Sequence, residues 1–81
     1  MSEKILEIVN ILSQVKEDDT VPRNIRDKIG FAILALNEDH TELDVRINKS
    51  LQELDEVSDD PNIPVYARTQ LWNVVSLLES I

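Results

Sequence analysis

The sequence contains no cysteine, which excludes disulfide bridges, thiolate metal sites and a cysteine nucleophile. Gly30 is its only glycine, so no glycine-rich loop is available to cradle a phosphate group. The longest apolar run, residues 29–36, is far shorter than the ~20 residues that cross a bilayer. Because no basic leader precedes an apolar segment, we expect a cytoplasmic protein that makes no contact with a membrane.

Positive charge is also scarce: 8 lysines and arginines stand against 16 aspartates and glutamates, giving a formal net charge of −8. The few cations are spread along the chain, and the three aromatic residues do not lie within a cluster of cations. These features argue against direct nucleic-acid binding, because a phosphate backbone is attracted by clustered cations. An acidic surface fits a basic protein partner better.

What the chain does contain is helical periodicity. Apolar residues recur at the 3.6-residue spacing of amphipathic helices, and no stretch alternates as a strand does. The pattern predicts one all-α domain over residues 1–81, with helices at about 2–16, 22–37, 42–57 and 64–80. Ser2 is the predicted N-cap of the first helix, and Pro22 and Pro64 are predicted to open the second and fourth. The residues predicted to face the core are Ile5, Ile8, Val9, Leu12, Val15, Ile25, Ile29, Ala32, Ile33, Leu36, Ile47, Leu51, Leu54, Ala67, Leu71, Val74, Val75, Leu78 and Ile81.

The two halves of the chain resemble each other when one is shifted by 42 residues. A Val-x-x-Asp-x-x-(Val/Ile)-Pro-x-x-x-Arg frame occurs at 15–26 and again at 57–68. We interpret it as a duplicated helical hairpin. Short loops favour an up-and-down four-helix bundle built from the two hairpins. The alternative is a two-repeat HEAT-like stack, which is disfavoured because such stacks generally need about three repeats to be stable.

In such a bundle the first and third loops lie at the same end. The weak candidates for a Ca²⁺ or Mg²⁺ site there are Asp18, Asp19, Asp59 and Asp60, although the EF-hand pattern is absent. Helix capping and ion pairing explain these carboxylates more simply. Arg26 and Arg68 hold equivalent positions and are predicted to clamp an aspartate or loop carbonyls, with an anion pocket as the alternative.

Catalytic residues and cofactors are not expected. His40 is the only histidine, and nothing around it forms a nucleophile system. The surplus of apolar residues is more informative. The interface candidates Phe31, Leu34, Val65 and Trp72 lie away from the predicted core faces. They either wedge between helices or form an exposed patch for an oligomer or a partner.

Two strings, Thr-Val-Pro-Arg-Asn-Ile-Arg at 20–26 and Tyr-Ala-Arg-Thr-Gln-Leu-Trp-Asn at 66–73, resemble a family of small uncharacterised proteins, mainly archaeal. The resemblance extends over nearly the whole chain. It implies a cytoplasmic, all-helical, single-domain protein of unknown function without an assigned active site. A weaker likeness to HEAT repeats lies in Asp39…Val45-Arg46 and Asp60…Ala67-Arg68.

Two functional hypotheses follow. The first is a small acidic protein-interaction module that acts through an apolar helix face and either self-associates or binds a basic partner. The alternative is a small-ligand or divalent-metal-dependent enzyme or regulator that uses the acidic loop end with Arg26 and Arg68. The first is favoured, and we expect that the protein is not an enzyme.

Overall fold

The computed structural model describes residues 3–81 and forms four helices in that range. They are α1 (Glu3–Lys16), α2 (Arg23–Leu36), α3 (Leu43–Ser58) and α4 (Val65–Glu79). The all-α prediction is confirmed, and the predicted N-cap Ser2 lies outside the described residues. Within residues 3–81 no helix has both the length and the apolar character that crossing a membrane requires.

The helices close into an up-and-down bundle of 33 × 20 × 19 Å. α1 packs against α2 and α4, and α3 packs against the same two helices. In the described part of the chain no contact joins α1 to α3 or α2 to α4. A HEAT-like stack would place equivalent helices side by side, which is not observed here. The bundle is therefore the correct interpretation, with α2 and α4 at opposite corners.

One continuous apolar core fills the space between the four helices. Most of the predicted core residues are buried, and Val9, Ile33, Leu51 and Val75 pack half-buried at its margin. Ile81 was expected to face inward, but α4 ends at Glu79 and Ile81 is 44% exposed. The core also includes two loop residues that helical periodicity cannot detect, Val21 and Ile63.

The core contains one buried polar residue, Ser50 on α3. Its hydroxyl has no hydrogen-bond partner within residues 3–81. The 42-residue shift aligns Ser50 with Ile8, which is fully buried in α1. The second hairpin therefore has a small polar side chain where the first has a large apolar one.

The three loops, 17–22, 37–42 and 59–64, share one backbone design. The last residue of each is extended, with φ between −58° and −54° and ψ of 146° or 147°. Pro22 and Pro64 therefore stand at the N-caps, and α2 and α4 begin one residue after them, within the approximate bounds that the sequence predicts. Their carbonyls, like that of Glu42 in the middle loop, accept a 3.0 Å hydrogen bond from the backbone N–H four residues later.

Candidate protein-interaction surfaces

Arg26 and Arg68 bind the loops that precede their helices. The Arg26 Nε donates to the Val21 carbonyl at 3.0 Å, and the Arg68 guanidinium donates to the Asp60 carbonyl at 2.8 Å. Within the described residues Arg26 forms one ion pair, with the Asp19 carboxylate, which lies 3.8 Å away and is almost fully exposed to water. Such a contact contributes little free energy of folding. Both arginines thus hold loop carbonyls, as one of the alternatives for them predicts.

A third arginine, Arg46, occupies the same position relative to the middle loop, and the sequence analysis missed it. Its guanidinium donates to the Leu36 carbonyl at 3.2 Å, at the end of α2. The signal was present, because each of the three arginines follows an acidic residue by eight positions: Asp18 before Arg26, Glu38 before Arg46 and Asp60 before Arg68. It was obscured because Glu42 stands where the other two loops have proline.

The loop carboxylates serve the backbone of their own loops. The Asp18 carboxylate accepts hydrogen bonds from the Thr20 hydroxyl at 2.6 Å and the Thr20 N–H at 2.8 Å. Both bonds lower the pKa of Asp18 below its usual value, and the bond from the Thr20 hydroxyl has the larger effect. The Asp60 carboxylate likewise accepts the N–H of Asn62 at 2.8 Å.

Asp18, Asp19, Asp59 and Asp60 are the weak candidates for a cation site, and capping and ion pairing are the simpler explanation. Across residues 3–81 no three acidic or histidine side chains are grouped so that they could hold a metal ion. Asp18 and Asp60 point into hydrogen bonds of their own loops, and the exposed Asp19 and Asp59 do not complete a ligand set with them. The physical reason is that Asp18 and Asp60 each accept hydrogen bonds from residues of their own loop.

The four interface candidates are exposed. Phe31 and Leu34 on α2 are 56% and 65% exposed, and Val65 and Trp72 on α4 are 79% and 59% exposed. Of the two alternatives, the one in which Trp72 wedges between helices is therefore wrong. A single patch is also excluded, because α2 and α4 lie at opposite corners of the bundle. We call the surface around Phe31 and Leu34 the α2 face, and the surface around Val65 and Trp72 the α4 face.

The α2 face borders a groove of about 510 Å³ between α1 and α2. Gly30 also lines this groove, and a Cβ there would lie 2.8 Å from the Cε of Lys16, so a larger residue would displace the flexible end of that side chain. The groove carries one charge of each sign, Lys16 and Asp27. In the described range neither of these two side chains forms an ion pair.

A smaller groove, of about 330 Å³, lies between α3 and the C-terminal part of α4. Among residues 3–81 the charged side chains that line it are those of Asp44 and Glu79, and Val65 and Trp72 are not part of its lining. Val65, Trp72 and Glu79 recur every seven residues and so lie on one side of α4. Asp55 continues the stripe of α3 that begins at Asp44, because the two are three turns apart.

Charge is distributed unequally between the two faces. Residues 1–36 contain six acidic and five basic residues, whereas residues 37–81 contain ten acidic and three basic residues. Those three cations are already engaged: Arg46 and Arg68 bind backbone carbonyls, and the Lys49 ammonium lies 3.3 Å from the Glu38 carboxylate. The α4 face is consequently apolar and acidic, while the α2 face is apolar and nearly balanced in charge.

The sequence model of one protein family, described as an uncharacterised protein family (UPF0147), matches residues 1–81. A UPF0147 protein of Pyrococcus furiosus is 42% identical over the whole of this chain and 88% of its own length. A crystal structure of the unknown function protein MMP1188 matches with a TM-score of 0.94 and 46% identity, covering 98% of this chain and 90% of that one. A crystal structure of a protein from the same family from Thermoplasma acidophilum has a TM-score of 0.90 and 34% identity, covering 95% and 91%.

Proposed function

This chain belongs to the UPF0147 family of uncharacterised proteins, and from that premise we propose that it is a non-catalytic protein-interaction module whose α4 face binds a basic amphipathic segment of another protein. The observation that carries the proposal is the exposure of Trp72 and Val65 on the side of α4 that continues to Glu79, which lines a groove whose charged side chains, among the described residues, are acidic. Exposed aromatic side chains flanked by polar residues are typical of interaction surfaces.

Charge complementarity identifies the chemistry of the partner. Glu79 lies on the same side of α4 as the apolar pair, and Asp44 and Asp55 lie along one stripe of the neighbouring α3. Arg68, the cation of α4, is engaged with the Asp60 carbonyl. A helix with an apolar side and flanking lysines or arginines would cover Trp72 while its cations meet these carboxylates. A second copy of the chain is a poorer occupant of this face, because its own acidic side chains would be repelled.

Trp72 is the only tryptophan of the chain and therefore reports directly on its own burial. We expect a synthetic Lys/Leu amphipathic peptide without aromatic residues to shift the Trp72 emission to shorter wavelength on binding. A Glu/Leu peptide of the same apolar pattern should leave the emission unchanged. No shift with the basic peptide, or an equal shift with both peptides, would contradict the proposal.

A matched pair of charge reversals separates this face from a general attraction to acidic protein. Asp55→Lys with Glu79→Lys should abolish the shift, because both changes lie on the α4 face. Glu3→Lys with Glu7→Lys changes the net charge equally on the exposed part of α1 and should preserve most of the shift. An equal loss of the emission shift in the two variants would indicate long-range electrostatic attraction to the whole protein rather than binding at the α4 face.

The proposal includes a cytoplasmic location and no direct contact with nucleic acid. A tagged chain should retain its basic partner from lysate after nuclease treatment, and Val65→Gln with Trp72→Gln should release that partner. Phe31→Gln with Leu34→Gln is the matched control on the opposite side of the bundle and should retain it. Partners lost on nuclease treatment would contradict direct protein binding.

The alternative of a ligand- or metal-dependent enzyme or regulator at the acidic loop end finds no specific support. Arg26 and Arg68 donate hydrogen bonds to loop carbonyls, and the carboxylates of Asp18 and Asp60 accept hydrogen bonds from their own loops. A Ca²⁺ or Mg²⁺ titration that raises the melting temperature would revive this alternative, since a ligand of the native state must stabilise it.

A further inference from the structure

We infer that the α2 face binds a second copy of this chain, so that the protein forms an isologous homodimer through Phe31, Leu34 and the α1–α2 groove. This inference concerns a different surface from the proposed function and does not depend on it. Phe31 and Leu34 are more than half exposed beside the larger of the two grooves described above. A large exposed apolar pair next to an open groove offers both the knob and the recess of a self-complementary contact.

Charge selects the second copy as the occupant. The acidic residues 37–81 would repel one another across a contact between two copies, whereas residues 1–36 are nearly balanced. The first hairpin is therefore the part of the surface that a second copy can approach without strong repulsion.

The groove also supplies charges that an isologous contact can pair. In such a contact residue i of one copy meets residue j of the other, and j meets i. Lys16 and Asp27 line the groove, carry opposite charges and form no ion pair within the described residues. Two copies related by a twofold axis can therefore exchange these charges, with Lys16 of each copy facing Asp27 of its partner, around a centre of Phe31 and Leu34.

Sedimentation velocity over a range of concentrations up to about 200 µM tests the inference, because a dimer is populated by mass action. We expect a monomer–dimer equilibrium for the wild-type chain and a monomer for Phe31→Gln with Leu34→Gln. These side chains are exposed, so the variant should keep the fold. Val65→Gln with Trp72→Gln is the matched control and should still dimerise. A monomeric wild type, an open series of larger species, or loss of the dimer in the control would overturn the inference.

A charge exchange tests the pairing itself. Lys16→Glu and Asp27→Lys should each weaken dimerisation about tenfold, because each places like charges across the contact. The double variant should recover most of the wild-type dissociation constant. Unchanged single variants, or a double variant as weak as the single ones, would contradict the exchange of Lys16 and Asp27 between copies.

Discussion

Aligned by the 42-residue shift, the two hairpins differ most informatively at two pairs of positions. Gly30 on the outer side of α2 corresponds to Trp72 on α4, and Ile8 in the core of α1 corresponds to Ser50 on α3. The outward difference changes which surface the bundle offers while leaving the packing intact. The inward difference places a lone hydroxyl in an otherwise apolar core. The same helical hairpin can therefore differ at surface positions and at core positions independently. The two kinds of difference have different effects on the free energy of the protein.

The largest expected effect comes from giving the first hairpin the core residue of the second. Ile8→Ser should lower the free energy of unfolding by about 4 kcal/mol, because it leaves a cavity and buries an unpaired hydroxyl. Urea unfolding followed by circular dichroism measures the loss. Asn10→Ser, on the exposed side of α1, is the control and should change stability by less than about 1 kcal/mol. A loss below about 1.5 kcal/mol at Ile8 would show that the two core positions are interchangeable.

Removal of the loop arginines should have the next largest effect and should strike both hairpins alike. Arg26→Met and Arg68→Met should each lower the free energy of unfolding by about 1.5 kcal/mol, since each deletes a charge-assisted hydrogen bond to a loop carbonyl. Arg46→Met tests whether the middle loop follows the same rule. Arg23→Met, at an exposed site in the first turn of α2, should be nearly neutral by the same urea assay. An unchanged free energy of unfolding in Arg68→Met would contradict a stabilising role for this hydrogen bond.

A gain in stability is expected from correcting the polar core position. Ser50→Ala should raise the free energy of unfolding by about 1 kcal/mol, because it removes an unpaired buried hydroxyl and adds a residue of higher helix propensity. Ser76→Ala, at an exposed site on α4, isolates the propensity contribution and should gain only about 0.5 kcal/mol. Thermal melts of the two variants would contradict this reasoning if Ser50→Ala were the less stable of the two.

The smallest expected effect is on the pH dependence of stability, to which carboxylates of the first and the middle loop contribute. The Thr20 hydroxyl bond lowers the pKa of Asp18, and the Thr41 hydroxyl bond, with Lys49, lowers the pKa of Glu38. A lowered pKa in the folded state stabilises the fold above the unfolded pKa, and this contribution is lost as pH falls through the folded value. Urea midpoints should therefore drop below about pH 4, and less steeply in Thr20→Val. An unchanged slope in that variant would contradict the role of Thr20.

The sequence predicted the fold well because helical periodicity is a local property. The helices follow from spacing within each hairpin. Arg26 and Arg68 were predicted to clamp either an aspartate or loop carbonyls, and the choice of the carbonyls required the structure. Ser50 was missed because it is polar and gives no apolar signal. Arg46 was missed because it follows a glutamate where the other two loops have proline, although it has the same spacing from an acidic residue. Periodicity predicts that Trp72 points away from the core side of α4. It does not predict which pairs of helices lie at opposite corners of the bundle, so the separation of the α2 face from the α4 face required the structure.

The central claim is that the two hairpins present two independent interaction faces. Its most direct test is the titration of Trp72 emission with the basic Lys/Leu peptide in the wild-type chain and in Phe31→Gln with Leu34→Gln. The account predicts the same shift and the same affinity in both proteins, because the changed side chains lie on the opposite side of the bundle from Trp72. A shift that disappears, or an affinity that falls strongly, in the α2-face variant would contradict two separate faces.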